Sequence, residues 1–459
     1  MTASERVRCL FGTDGVRDVA NRGIMTPEMA LSLGRAFVLF LTERGAPRPV
    51  IITGKDTRRS GAMLESALLS GMMSAGAEAH TTGIFPTPGI SFLLRRGGFD
   101  AGAMISASHN PAEYNGIKFF NAHGYKLSDD DEASIEEYLS DDLLENWRPT
   151  GVSVGLMFDD SGLSDAYVLW LTDCLSSVGK CEWPLVIDTA NGAASSIARR
   201  VFAAWPGDVY HCGAASDGIN INDGVGVMHM EHISRTVLER SARLGIAFDG
   251  DADRVLFCDR SGRVIDGDIM LWVIGRFMAR DGRLGSGVVA TVMSNMVLEE
   301  KLEEEGIEVF RCPVGDRYVL SRMQETGAGL GGEQSGHIIA SEYVATGDGL
   351  CTAALFMRSC MELGEDPDTL VDRFPRYPQI LKNLRIADRE RVISSPLLEE
   401  ARANAMKKLA GNGRVLLRSS GTEPLLRILV ESRDESLMKE VCMEIEERVR
   451  EIGNSLDEG

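Results

Sequence analysis

Three aspartates stand at alternate positions in Phe248-Asp-Gly-Asp-Ala-Asp-Arg254, directly after the apolar stretch Leu244-Gly-Ile-Ala. Carboxylates this close repel one another, so a loop tolerates Asp249, Asp251 and Asp253 best around a cation. Alternation along an extended segment would place them towards one side. Their hard oxygens suit Mg²⁺ or Ca²⁺. An EF-hand is excluded, because its sixth position needs Gly where Arg254 stands and its twelfth needs Glu where Arg260 stands. Three protein ligands leave room for water and a phosphate oxygen, which fits Mg²⁺; without a metal the segment is an acidic turn.

Three further motifs carry chemistry. In Met104-Ile-Ser-Ala-Ser-His-Asn-Pro-Ala-Glu-Tyr-Asn-Gly-Ile-Lys118, Ser106 and Ser108 sit where a strand breaks into a turn beside His109. Such a serine serves as a nucleophile or, once phosphorylated, as a phosphoryl donor; the plainer reading is an Asn-Pro turn with hydrogen-bonding serines. The pattern is not a G-x-S-x-G elbow, which argues against an α/β-hydrolase. In Gly331-Gly-Glu-Gln-Ser-Gly-His337, Glu333, Ser335 and His337 alternate among glycines, a composition suited to sugar hydroxyls. In Arg418-Ser-Ser-Gly-Thr-Glu-Pro-Leu-Leu-Arg427, arginines frame a hydroxyl-rich Gly turn whose amides suit an oxyanion such as phosphate, or simply a solvated hairpin. Together these features describe phosphoryl transfer on a sugar phosphate. They are scattered from Ser108 to Arg427, so a cleft between domains has to assemble them.

The elements that would position them repeat one pattern. Pro49–Thr53 leads into Ser60–Leu69, Pro184–Asp188 into Ala193–Phe202, and Gly287–Thr291 into Met296–Leu302. Each is a short β-branched run, a small polar turn and then apolar residues at helical spacing, the opening of a βα unit. Alternation of this kind predicts α/β architecture. Residues 129–145 hold nine acids and no base, with Ile135, Tyr138 and Leu139 interspersed, and predict a solvated amphipathic helix running into a linker at Arg148–Gly151. Further boundaries are expected near Asp253–Gly267 and Gly364–Pro367. Beyond them, strands at Val415–Arg418 and Leu426–Val430 and a helix over Glu435–Glu451 make a small α+β domain.

The chain has 459 residues, with 48 Lys+Arg against 68 Asp+Glu and a net charge of −20. That balance opposes binding to nucleic acids or anionic membranes. Nine cysteines form no CxxC pair, which suits reduced thiols. Met1–Leu10 lacks an apolar leader core, and no apolar run reaches the ~18 residues of a membrane span. A cytoplasmic protein is expected. An anionic substrate then needs local cations, and Lys118, Arg254, Arg418 and Arg427 lie inside these motifs.

Phe11–Arg17, Ser106–Pro111, Asp249–Arg254, Gly332–His337 and Arg418–Pro424, in this order, resemble the α-D-phosphohexomutase superfamily. The resemblance implies α/β domains over 1–150 (phosphoserine loop), 151–255 (metal loop) and 256–368 (sugar loop). A smaller α+β domain over 369–459 (phosphate loop) would complete a central cleft. It implies a phosphoserine at Ser108 and one Mg²⁺ held by that phosphate with Asp249, Asp251 and Asp253. His109, Lys118, Arg17, Arg254 and His337 become catalytic candidates, with Lys118 needing a depressed pKa to act as a base. Glu333, Ser335 and His337 would bind the sugar; Arg418, Ser420, Gly421, Thr422 and Arg427 would hold the non-reacting phosphate. Gln334, Thr291–Asn295 and Val314–Tyr318 resemble the branch that interconverts glucosamine 6-phosphate and glucosamine 1-phosphate through glucosamine 1,6-bisphosphate, on the way to cell-wall precursors. A glucose or mannose phosphate, and a silent sugar-phosphate-binding protein, are the alternatives, and a homodimer is compatible. In two places the chain departs from the family pattern. Ala252 replaces the second Gly of the usual metal loop, and Asp18, where Gly is common, is placed to pair with Arg17.

Overall fold

The computed structural model describes residues 10–12, 14–139, 143–386, 388–419 and 425–457. The chain forms two compact units: Met1–Thr291 with Ile307–Val371, and Val292–Gly306 with Asp372–Gly459.

The first unit holds three sheets. β1 (Phe11–Gly12), β2 (Gly15–Val19), β3 (Val50–Lys55), β4 (Glu78–Ile84), β5 (Ala101–Ile105), β6 (Tyr114–Asn121) and β7 (Leu156–Asp159) form the first, ordered β1-β2-β6-β5-β3-β4-β7. β3 runs parallel to β4 and β5, whereas β6 and β2 are antiparallel additions. β8 (Leu185–Asp188), β9 (Val209–Cys212), β10 (Leu244–Phe248), β11 (Val255–Asp259) and β12 (Val264–Ile265) form the second, ordered β12-β11-β10-β8-β9. β13 (Val288–Thr291), β14 (Val309–Cys312), β15 (Leu330–Gly332) and β16 (Ile338–Ala340) form the third, ordered β14-β13-β15-β16. Each is mixed, and its central strands are continuous apolar runs, as sheets covered on both faces require.

All three βα openings form: β3 leads into helix Gly61–Ser74, β8 into Ala194–Phe202 and β13 into Met296–Glu303. The acidic stretch does form a helix over Asp129–Leu139; Ile135 is buried, and Asp129 and Glu132 pair with Arg317.

The second unit has β17 (Gln379–Arg385), β18 (Gly413–Ser419) and β19 (Leu425–Ser432), ordered β17-β19-β18, all antiparallel. Helices Pro396–Leu409 and Glu435–Asp457 bury Leu398, Leu409, Val441 and Ile445 in its core with Ile428 and Val430. Helix Met296–Glu303 belongs to this unit rather than to the sheet that precedes it. Buried Glu431 accepts the Met296 amide at 2.7 Å and Arg414 donates to the Ser294 carbonyl at 2.6 Å. The sequence shows the helix but not this attachment, which depends on side chains more than 100 positions away.

Under the first sheet, helix Pro27–Glu43 begins at the Thr26 cap and lies against Gly61–Ser74. A Cβ on Gly34 would sit 2.3 Å from the Leu68 carbonyl oxygen, and one on Gly71 would sit 2.1 Å from that of Leu31. The helices therefore touch backbone to backbone, and any side chain forces them apart. Gly34→Ala and Gly71→Ala are each expected to cost about 1–3 kcal/mol by chemical denaturation. An unchanged midpoint in both would contradict this packing.

Candidate functional site

The site in the first unit is built from loops at strand ends. β5 ends at Ile105, and Ser108, in the turn that follows, takes φ 50°. That left-handed conformation is costly for a residue with a Cβ and needs outside support. The Arg58 guanidinium, fully buried, donates to the Ser108 carbonyl at 3.0 Å, to that of Asn110 at 2.8 Å and to that of Pro111. Asn222 Nδ2 donates to the Ser108 and Asn110 carbonyls at 2.9 and 3.0 Å. From inside the turn, the Ser108 amide donates to Ser106 Oγ at 2.9 Å, and Ser106 Oγ donates to Asp56 at 2.6 Å. Asp56 also pairs with Arg58 at 2.9 Å.

The β10–β11 hairpin carries the three aspartates into the same place. They do not alternate along an extended strand, because Ala252 takes φ 61° and folds the segment into a turn. Asp249, Asp251 and Asp253 are buried, and each offers an oxygen within 4.8 Å of the others. Ser108 Oγ donates to Asp249 Oδ2 at 2.7 Å. Asp251 Oδ2 accepts from Thr87 Oγ1 at 2.6 Å and from Lys118 Nζ at 2.9 Å. Asp251 Oδ1 and Asp253 Oδ1 are buried without a hydrogen-bond partner. Burial and the neighbouring charges of Asp253 and Asp251 push the Asp249 carboxyl well above its ordinary range. Three hard oxygen donors with buried, unsatisfied atoms fit a divalent cation.

Cations and imidazoles surround this loop. Lys118 Nζ also meets Asp14 Oδ2 at 2.9 Å; burial pushes its pKa down, but Asp14 and Asp251 outweigh this and raise it. The depressed pKa that a lysine base needs is therefore absent, and Lys118 stands here as a buried cation. Arg17 pairs with Asp14 at 2.6 Å and approaches Asn110 at 3.4 Å. The expected Asp18–Arg17 pair does not form, because Asp18 accepts the amides of Val19 at 2.7 Å and Ile24 at 3.1 Å. Lys126 joins Asp14 to Asp316.

His109 Nδ1 lies 3.3 Å from Ser108 Oγ and accepts from Arg254 Nη1 at 3.2 Å. His337 Nε2 accepts the Gly347 amide at 3.1 Å, leaving Nδ1 to carry its proton 3.6 Å from Asp253 Oδ2. Burial pushes His337 down, but Asp253 and Asp316 outweigh it and leave the pKa raised. A second proton on Nε2 costs the Gly347 bond. Glu333 is buried and accepts the Gly315 amide at 2.9 Å, while Ser335 is exposed and donates to Glu333 at 3.3 Å.

Thus Ser108, His109, Lys118, Arg17, Arg254, His337 and the aspartates form one linked set of contacts, with Glu333 and Ser335 on the third sheet's loop. Arg418 and Arg427 lie in the second unit as register partners on β18 and β19. Ser420, Gly421 and Thr422 fall outside the described residues. The residue motifs did not assign Asp14, Asp56, Arg58, Thr87, Lys126, Asn222 or Asp316 to the site. Asp56 and Arg58 left a trace, an acid and a base two apart directly after a buried strand; Asn222 left none.

Family models match three stretches. These are phosphoglucomutase/phosphomannomutase alpha/beta/alpha domain I over 8–145, its domain III over 266–377 and its C-terminal domain over 381–448. A protein of Oceanobacillus iheyensis named phosphoglucosamine mutase is 43% identical over 96% of this chain and 97% of its own length. The chain belongs to the phosphoglucomutase/phosphomannomutase family. Phosphoglucosamine mutases of Desulforamulus reducens (44% identical, 97% of this chain and 99% of that protein) and Bacillus subtilis (41%, 97% and 98%) are similarly related. Among solved structures, a Burkholderia thailandensis member of this family matches with a TM-score of 0.78 at 24% identity, covering 95% of this chain and 96% of that one. Aspergillus fumigatus N-acetylphosphoglucosamine mutase, solved with GlcNAc-6P and magnesium, matches at 0.73 and 16% identity, covering 99% and 97%. These structural likenesses are of fold.

In the aspartate loop, Ala252 brings opposing effects. Its left-handed φ costs about 1–2 kcal/mol. Replacing it by Gly would forfeit a buried methyl, about 0.8 kcal/mol, and add roughly 0.5–1 kcal/mol of chain entropy. Ala252→Gly is therefore expected to change stability by less than about 1 kcal/mol, and a larger shift in denaturant midpoint would contradict that balance.

His109 supplies a pH test. Burial, then the charges of Arg254 and Arg17, push it from 6.5 down to about 4. It thus binds fewer protons folded than unfolded, so stability falls as pH drops from about 6.5 to about 4. His109→Gln should remove up to about 3 kcal/mol of this acid loss. Denaturation at pH 4 and pH 7 reads it; equal losses in both proteins would refute the assignment.

Proposed function

We propose that this chain interconverts glucosamine 6-phosphate and glucosamine 1-phosphate. The observation that carries the reading is identity of 41–44% across nearly the whole chain to proteins named phosphoglucosamine mutase. The bond from Ser108 Oγ to Asp249 inside the aspartate loop supports it. The four-domain division at residues 150, 255 and 368 belongs to the same reading, and the four separate sheets support it. Among the described residues no helix is long and apolar enough to cross a membrane, which accords with work on phosphorylated sugars in the cytoplasm.

Ser108 carries a phosphoryl group and gives it to the free hydroxyl of the sugar phosphate. The P–Oγ bond breaks, a P–O bond to the sugar forms, and glucosamine 1,6-bisphosphate results. The intermediate turns over in the site, and its other phosphoryl group returns to Ser108. Asp249, Asp251 and Asp253, with the Ser108 phosphate, would hold Mg²⁺, which neutralises charge on the transferring group when bound. Arg254 and Lys118 add fixed positive charge at the same place, already oriented before the reaction. Lys118, protonated, donates to the oxygen that leaves. His109, held neutral, takes the proton that the sugar hydroxyl loses as the new P–O bond forms, its Nδ1 giving up the Arg254 contact. Glu333, Ser335 and His337 orient the sugar hydroxyls. Arg418 and Arg427, with Ser420, Gly421 and Thr422, hold the non-reacting phosphate.

Purified protein with glucosamine 6-phosphate, Mg²⁺ and a trace of sugar 1,6-bisphosphate is expected to form the 1-phosphate. Phosphosite mapping should find phosphate on Ser108, and Ser108→Ala should lower turnover by a factor on the order of 10³ or more. Full activity in Ser108→Ala, or turnover of glucose or mannose phosphates in preference, would overturn the mechanism or the substrate respectively.

A further inference from the structure

The second sheet carries a cluster that this reaction does not use. Asp188 ends β8, Cys212 ends β9 as its register partner, and His232 lies in the first turn of helix Met230–Arg240. A carboxylate oxygen, a sulfur and an imidazole nitrogen from these residues all lie within 4.8 Å of one another. His232 Nδ1 stands 3.0 Å from Asp188 Oδ2. Zn–N and Zn–O bonds of about 2.0–2.2 Å at the tetrahedral angle separate two such ligands by roughly 3.3–3.5 Å, close to the pair observed.

The carboxylate is held ready. Asp188 is fully buried, with the Ala190 amide on Oδ1 at 2.9 Å and the Gly226 amide on Oδ2 at 3.0 Å. Such bonds to the ligand oxygens orient a metal ligand before the metal arrives. Gly213, at φ 53°, passes so close that a Cβ there would meet Asp188 Oδ1 at 2.1 Å. Cys212 and His232 are half-buried, which leaves a route from solvent. The donor set differs in kind from the aspartate loop: one oxygen, one sulfur and one nitrogen suit Zn²⁺, whereas three carboxylates suit Mg²⁺.

We propose that Asp188, Cys212 and His232 form a second metal site, of the zinc class, independent of the aspartate loop. Binding forms the metal–sulfur bond and releases the thiol proton to solvent. Three protein ligands leave the fourth position open to water or a small ligand.

Titration of the full-length protein with Co²⁺ tests this, because only a sulfur ligand gives the near-ultraviolet thiolate-to-Co²⁺ charge-transfer band, and the aspartate loop has none. The wild-type protein is expected to develop the band at one equivalent and to lose it when Zn²⁺ is added. Cys212→Ser should abolish it. His232→Gln, which keeps the sulfur, should weaken Co²⁺ binding about tenfold or more. Both variants should keep Mg²⁺-dependent mutase turnover within about twofold, so that a lost band is not lost folding. No band in the wild type, a full band in Cys212→Ser or unchanged affinity in His232→Gln would each overturn the site. The Co²⁺ band and affinity do not depend on which sugar phosphate is the substrate.

Discussion

Three carboxylates buried within 4.8 Å of one another dominate the physics of the first unit. Each pair at that distance repels by roughly 3 kcal/mol at an effective dielectric of ~20, before desolvation is counted. Burial and its neighbours push the Asp249 carboxyl well above its ordinary range, while His337, Lys118 and Arg254 outweigh burial and hold Asp253 well below it. Lys118 is buried because Asp251 and Asp14 flank it, and Asp14 in turn gathers Arg17 and Lys126. The ring of alternating charge that results reaches all three sheets of the unit. It converts a local liability into a fixed field around Ser108 Oγ.

The same logic explains why the serine is held so firmly. Ser108 Oγ meets the aspartate loop at one angle, and a residue in the left-handed conformation does not keep that angle unaided. Arg58, Asn222 and the Asp56–Ser106 bond supply the missing energy from below the turn, so the Ser108 carbonyl is committed and Oγ is left to face Asp249. The overall −20 charge is no obstacle to an anionic substrate, since the field that matters is set within a few ångströms.

Much of the fold was legible in order along the chain. The three βα openings, the acidic helix and the small antiparallel C-terminal unit follow from period and turn chemistry, which are local. The attachment of helix Met296–Glu303 to the C-terminal unit was not, because it rests on Glu431 and Arg414, far along the chain. In the site, the aspartates and the Ser106–Ser108–His109 turn were legible from residue type and spacing, while the choice of Ser108 and the roles of Lys118 and Arg254 came from the family resemblance. Asp18 neighbours Arg17 in sequence but does not pair with it, because it lies nearer to backbone amides it can cap.

By itself, then, the sequence determined which chemistry is available: hard oxygen ligands in one loop, a serine beside a histidine in another, cations spaced through an acidic chain. Residue types carry their donors, charges and conformational preferences wherever they stand. Only the tertiary structure decided the protonation and direction of those groups. The Lys118 pKa is raised rather than depressed because Asp14 and Asp251 converge on it, and that of His109 falls because burial and two guanidinium groups push it down. A pKa depends on burial and on charges within a few ångströms, and those distances exist only once the chain has folded.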